Sequence, residues 1–299
     1  MNEPTASIVL NGIDGANPLG FLAALGTAIT ARAFCQELRF SWQPDGGVWR
    51  PALHGCGTDQ EFFLEHLFET LKAASMRPFE IDKKLPFETE RFKQSLREAQ
   101  YEAEPTNRRV TDFLVAFGSE VASEKGIFKD TRFRMVRSGD SAGQGLPAYA
   151  MAIRGATDRS ALNRSLFHPW DYADTGFALR WDPIEDQRYA LRWRDPSKST
   201  SKDGPGSMTG ANSLAIEALQ WYPTVLRQTR LNTTGFRRTR TKEVWFAWPI
   251  WVHPISLDTV RSLLALSDLH NDPLPRTDLS KRGIVEVYRS QRIQQNQYY

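Results

Sequence analysis

The period of hydrophobic positions changes several times along the chain, and each change marks an element. Residues 7–10 (SIVL) form a short apolar run that ends in the turn Asn11-Gly12-Ile13-Asp14-Gly15, which predicts a strand. Asn17 then stands where a helix N-cap belongs. Pro18 takes the first helical position, where its missing N–H costs nothing. Residues 19–34 are apolar on almost every side, the pattern of a helix buried on most faces. Gly20 and Gly26 would each weaken a lone helix by about 1 kcal/mol, so they predict close packing against another element.

Residues 38–42 and 48–53 predict two strands around Pro44-Asp45-Gly46-Gly47. From Thr58 the period becomes helical: Phe62, Phe63, His66, Leu67 and Leu71 share a side, and Thr58 with Glu61 is spaced for a capping box. A charged helix over 87–104 and an apolar one over 110–121 are separated by Pro105. Beyond Gly126 the pattern predicts a basic strand over 127–136, a Gly/Ser loop over 138–145, a helix over 156–167 and a strand pair at 176–181 and 188–193. A Ser/Lys/Gly loop over 195–206 is followed by a helix over 211–221, a long strand within 235–252 and a helix over 255–269 capped by Ser256 or Asp258. The polar end, 289–299, reads as frayed or partner-bound. Strands and helices mixed without strict alternation predict the α+β class. A soft division falls near Gly126, giving a helix-rich region 1–125 and a strand-rich region 126–299, or one continuous domain.

Charge sharpens that division. The net charge is +3, but residues 1–125 sum to −5 and residues 126–299 to +8. A basic back half points to a polyanionic partner. There is no apolar run of 18 residues, which predicts no membrane span, and MNEPTASIVLNG lacks a basic segment leading into an apolar one, so no signal peptide is expected. The two cysteines, Cys35 and Cys56, are too few for a zinc site and are expected as buried thiols in a reducing cytoplasm. No cofactor is expected.

The densest chemistry lies at 226–242, LRQTRLNTTGFRRTRTK, which carries Arg227, Arg230, Arg237, Arg238, Arg240 and Lys242. No acid lies between Glu217 and Glu243. Five of the six cations are arginines, whose planar fork suits phosphate oxygens and guanine edges. Alternation would put Arg238, Arg240 and Lys242 on one strand face, with 232–235 as a hairpin tip. The segment is either a nucleic-acid contact or an edge strand blunted by charge. A second basic stretch holds Lys129, Arg132, Arg134 and Arg137, with Phe133 pointing away from Arg132 and Arg134. Lys198 and Lys202 form a third. Carboxylates and a histidine at His168, Asp171 and Asp174 are the one arrangement compatible with a metal-dependent nuclease. Trp245, Trp248 and Trp251 are candidate stacking platforms, though their apolar setting favours the core.

Three stretches together carry a resemblance. They are Asn11-Gly12 with Asn17-Pro18-Leu19-Gly20-Phe21-Leu22-Ala23-Ala24-Leu25-Gly26; Trp181-Asp182-Pro183-Ile184-Glu185-Asp186-Gln187-Arg188-Tyr189-Ala190-Leu191-Arg192 running to Asp195-Pro196; and Gly210-Ala211-Asn212-Ser213-Leu214-Ala215-Ile216-Glu217-Ala218-Leu219. In this order they resemble the compact large-subunit family of type I-G (formerly I-U) CRISPR systems, over residues 7 to about 220. The resemblance implies a large-subunit-like fold and a non-catalytic, cytoplasmic subunit of an RNA-guided antiviral surveillance complex. Such a subunit binds crRNA and target double-stranded DNA near the protospacer-adjacent motif, helps start duplex opening, contacts guide-backbone subunits and leaves degradation to a recruited helicase-nuclease. The arginines at 237, 238 and 240 are then expected on backbone or groove, with Asn212, Gln144, Lys198 and Lys202 also at the duplex. The competing expectations are the metal-dependent nuclease above and a structural adaptor that touches only protein.

Overall fold

The computed structural model describes residues 7–104, 107–124, 127–135, 145–186, 206–227 and 230–293. In chain order these form β1 (Ser7–Val9), α1 (Pro18–Ala31), β2 (Arg39–Asp45), β3 (Val48–His54), α2 (Gln60–Ala73), α3 (Arg77–Glu80), α4 (Thr89–Glu102), α5 (Arg109–Phe117), β4 (Gly118–Glu124) and β5 (Ile127–Asp130). There follow α6 (Leu146–Ala156), α7 (Arg159–Phe167), α8 (Thr209–Ala218), β6 (Thr224–Arg227), β7 (Arg230–Thr233), β8 (Phe236–Arg238), β9 (Val244–Trp251), β10 (Ile255–Ser256), α9 (Leu257–Leu264), α10 (Arg276–Lys281) and β11 (Ile284–Arg292). The architecture is a mixture of helices with antiparallel sheets ordered β1-β3-β2-β10 and β11-β9-β8, plus the hairpins β4–β5 and β6–β7. Among the described residues, no helix is long and apolar enough to cross a membrane.

The first helix forms as its local signals dictate. Asn17 Oδ1 accepts from the backbone N–H of Leu19 (2.8 Å) and Gly20 (3.1 Å), and Pro18 opens the helix. All but one residue of α1 is buried, because α8 packs along it. Gly26 permits that approach: its backbone lies against the Leu214 carbonyl of α8, and there is no room for a Cβ. The β2–β3 hairpin closes through Gly46 (φ 57°) and Gly47 (φ 85°), the two left-handed positions that a tight primed turn requires.

The core is continuous across residue 126. Trp248 and Trp251 of β9 are buried, and their indole N–H groups donate to Gly15 O and Phe40 O, each at 2.8 Å. They are core residues, not stacking platforms. β10 adds to the sheet of β1–β3 by pairing with β2. Pro249 is tolerated within β9 because β8 pairs only with residues 244–246, leaving β11 as the sheet partner at that point.

Several expectations are corrected. Cys35 and Cys56 are not free thiols; they form a disulfide between the turn after α1 and the loop after β3, with Cα atoms 4.9 Å apart. Asp59, not Thr58, caps α2, accepting from the Phe62 N–H (3.0 Å). The helix expected over 110–121 ends at Phe117, and Gly118 starts β4. The helix expected over 156–167 is α7, which starts at Arg159 where Asp158 caps it through the Ala161 N–H, and the helix before it, α6 over Leu146–Ala156, is not among the expected elements. No strand forms over 176–181; its expected partner, 188–193, lies outside the described residues, as do most of the 138–145 and 195–206 loops. Residues 289–292 are not frayed but end β11.

Candidate nucleic-acid interface

The site is built around Phe133. After β5, Thr131 N–H donates to Phe117 O (2.8 Å) and the chain turns. The Phe133 ring is buried among Trp181, Tyr222, Phe236 and Phe246, and Trp181 Nε1 donates to its carbonyl (2.9 Å). β5 ends at Asp130, so Arg132 and Arg134 flank this anchored ring in a turn rather than sharing a strand face, and both are half-buried. Arg132 N–H donates to Thr233 Oγ1 (3.0 Å), which ties the turn to β7.

The β11-β9-β8 sheet supplies the other half. Phe236 packs on Phe133, and Arg238, two residues on, shares its side of β8. Val244 of β9 is the register partner of both Arg238 on β8 and Arg292 on β11, so the two arginines stand in one row across the sheet. Arg292 Nη2 donates to Arg134 O (3.0 Å), and its Nε is buried without a hydrogen-bond partner. Among the described residues, Arg132, Arg134 and Arg292 act on one carboxylate, Asp130, which is paired with Arg134, and Arg238 lies near Arg132. Burial, then Arg238, lowers the affinity of Arg132 for its proton; burial, then Arg132 and Arg134, does the same for Arg292. Burial raises Asp130 from its ordinary value even though Arg134, Arg292 and Arg132 oppose it. Three half-buried arginines and one exposed one around a single counter-charge form a site that an anion would relieve.

The arginine-rich segment is thus not one strand. Residues 230–233 form β7 and 236–238 form β8, and Thr234-Gly235 is the turn between them rather than a hairpin tip. β8 ends at Arg238, and residues 239–243 turn toward β9, with Lys242 at φ 70°. Arg238, Arg240 and Lys242 therefore do not share a strand face; Arg240 and Lys242 are exposed in the turn beside the cluster. Arg227 and Arg230 are register partners at the end of the β6–β7 pair. Arg237 projects from the opposite side of β8, donating to His270 O (3.2 Å) and Asn271 Oδ1 (3.4 Å). Asn212 is corrected outright: it is fully buried, its Oδ1 accepts from Leu179 N–H (2.9 Å), and its Nδ2 donates to Ser207 Oγ and Met208 O. No atom of it is left for a duplex. Arg137, Gln144, Lys198 and Lys202 lie outside the described residues.

The carboxylates of the alternative metal site are engaged in structure. Asp174 pairs with Arg164 and accepts from the Thr209 N–H (2.8 Å) at the start of α8, and Asp171 accepts from the Ala173 N–H (3.1 Å). Among the described residues, no three His, Cys, Asp or Glu side chains come together in a group able to hold a metal.

His270 sits between Arg237 and Arg289. Burial, then these two cations, lowers its pKa from the ordinary 6.5 to about 4. Its neutral form thus contributes stability that is fully present above pH 6.5 and is lost as pH falls toward 4. Urea titrations across that window should show stability falling with acid in the wild type and a shallower fall in His270→Asn; equal slopes would contradict the assignment. Arg292 is the member of the cluster that sequence reasoning misses. Its signal is the alternating run Val285, Val287, Arg289 that extends a strand to residue 292.

No family model and no curated protein matches the chain.

Proposed function

We propose that this chain is a non-catalytic, nucleic-acid-binding subunit of a crRNA-guided type I-G surveillance complex, gripping target DNA near the protospacer-adjacent motif and helping to start its opening. The observation that carries the reading is the meeting of Arg132, Arg134 and Arg292 at one carboxylate, Asp130, with Arg238 beside Arg132, from three separate stretches of chain. Folding brings like charges together at a cost unless a polyanion occupies the site, and phosphates in a row are such an anion. In RNA-guided systems base pairing supplies sequence, and the protein needs only a basic grip and a few base-edge contacts. The resembling stretches lend support of another kind: the first builds α1 and the third builds α8, the pair that packs at Gly26. The remaining partners are the guide-backbone subunits and a helicase-nuclease that cuts in place of this chain.

Co-expression of the tagged chain with the guide-backbone proteins and a repeat–spacer transcript tests the reading. Recovery of crRNA and those proteins with the tag is expected, and the purified chain with Mg²⁺ or Mn²⁺ should leave labelled DNA intact. A chain that comes through the tag alone, or one whose DNA cleavage is abolished by Asp171→Ala or Asp174→Ala, would overturn it.

A further inference from the structure

The turn that carries Arg132 and Arg134 runs on into Met135, and the residues on either side of Arg134 border a cleft next to an aromatic ring. Phe133 and Met135 line a narrow cleft together with Leu146 and Tyr149 of α6 and with Ala178, Leu179 and Arg180. The cleft holds about 10 Å³, enough for one water and far too little for a nucleobase. Its rim is different. Phe177, the residue before Ala178, is 46% exposed, while its ring lies 4.9 Å from that of Tyr149 at an interplanar angle of 32°. Tyr149 is buried and backs one side of Phe177, so the phenyl ring is held in place with surface left open to solvent.

Phe177 precedes the cleft residue Ala178, and Arg134 lies between the cleft residues Phe133 and Met135. A supported, solvent-facing aromatic bordering the same cleft as an arginine suits a single strand, whose phosphates the cations track while the ring stacks a base. In an intact duplex the base faces are covered by their neighbours, so an aromatic platform has nothing to stack on. We propose that the anion gripped by this site is a single-stranded segment, with one base stacked on Phe177 and adjacent phosphates on Arg134 and Arg132. This rests on the nucleic-acid reading above and names its substrate: the opened strand rather than the closed duplex.

The test compares three ligands on the full chain: an oligothymidylate, an abasic strand of the same length and a duplex. The wild type should bind oligothymidylate about tenfold more tightly than the abasic strand, the worth of one base–aromatic stack. Phe177→Ala should abolish that difference without weakening abasic binding, and Phe177→Trp should keep it. A 2-aminopurine in the strand should be quenched on binding by the wild type and not by Phe177→Ala. Phe177 is about half exposed, and melting curves matched to the wild type establish that the variants fold. Equal wild-type affinity for the two single strands, or undiminished oligothymidylate binding by Phe177→Ala, would overturn the inference. If Arg132→Gln with Arg134→Gln weakens every ligand while Phe177→Ala weakens none, the stacking falls and the nucleic-acid reading stands. If the arginine variants weaken none, the reading itself falls.

Discussion

Glu217→Ala should destabilise the protein by about 3–5 kcal/mol, the cost of stranding buried charge. Glu217 is fully buried on α8 and is held from two sides, by Arg109 at the start of α5 and Arg154 near the end of α6. Arg109 Nη2 donates to Oε1 (3.0 Å) and its Nε to Ser75 O (3.1 Å); its guanidinium also lies 4.7 Å above the Phe113 ring. Burial alone would push the Glu217 carboxyl up, but the two guanidinium groups outweigh it and hold the carboxyl below its ordinary value. That contribution is therefore present above the usual glutamate range and disappears as pH falls below it. Removing the carboxylate leaves two cations facing each other out of water. At roughly 2–4 °C per kcal/mol, melting should drop by on the order of 10 °C. Replacing Arg109, Arg154 and Glu217 together with apolar residues of similar volume should recover much of the loss, because the desolvation of the ions goes with them. A Glu217→Ala protein that melts with the wild type would contradict the triad.

Gly26→Ala should cost about 1–3 kcal/mol or more, although alanine is the better helix former by about 1 kcal/mol. The sign is set by what the new methyl meets. A Cβ at residue 26 runs into the Leu214 carbonyl oxygen, and the flanking atoms are backbone and the Glu217 Cβ. Backbone in two packed helices cannot step aside as a flexible side chain can. Gly155, in α6, has nothing within 4 Å of the point where a Cβ would stand, so Gly155→Ala should stabilise by about 0.5–1 kcal/mol on propensity alone. Chemical denaturation of the two variants separates packing from propensity. A Gly26→Ala variant that is stabilised like Gly155→Ala would mean that α1 and α8 do not approach each other this closely.

These two sites show where sequence reasoning reaches and where it stops. Asn17, Pro18 and the Gly46-Gly47 turn are local signals, read within four residues, and the structure uses them as expected. Gly26 announces a close approach without naming the partner, since Leu214 is far along the chain. The Cys35–Cys56 bond is hidden for the same reason: spacing does not reveal that α1 and β3 end side by side. Asn212 misleads because a polar residue in an apolar helix looks available, whereas buried amides are satisfied by nearby backbone, here Leu179 and Met208. The arginine cluster is half legible. Both basic stretches stand out, but their meeting depends on Phe133 packing against Phe236 and on the register that aligns Arg238 with Arg292 through Val244. The splitting of 226–242 into β7, a turn and β8 also follows from tertiary pairing rather than from alternation.

The central claim is that this cluster holds nucleic-acid phosphates, and ionic strength probes it most directly. Fluorescence anisotropy of a labelled DNA strand, titrated with the wild type and with the combined Arg132→Gln, Arg134→Gln, Arg238→Gln and Arg292→Gln variant over a salt series, reads the number of phosphates engaged. Each arginine lost from a phosphate should weaken binding and flatten the dependence of log affinity on log salt by about one unit. A variant that folds like the wild type and binds with the same affinity and the same salt slope would contradict the account.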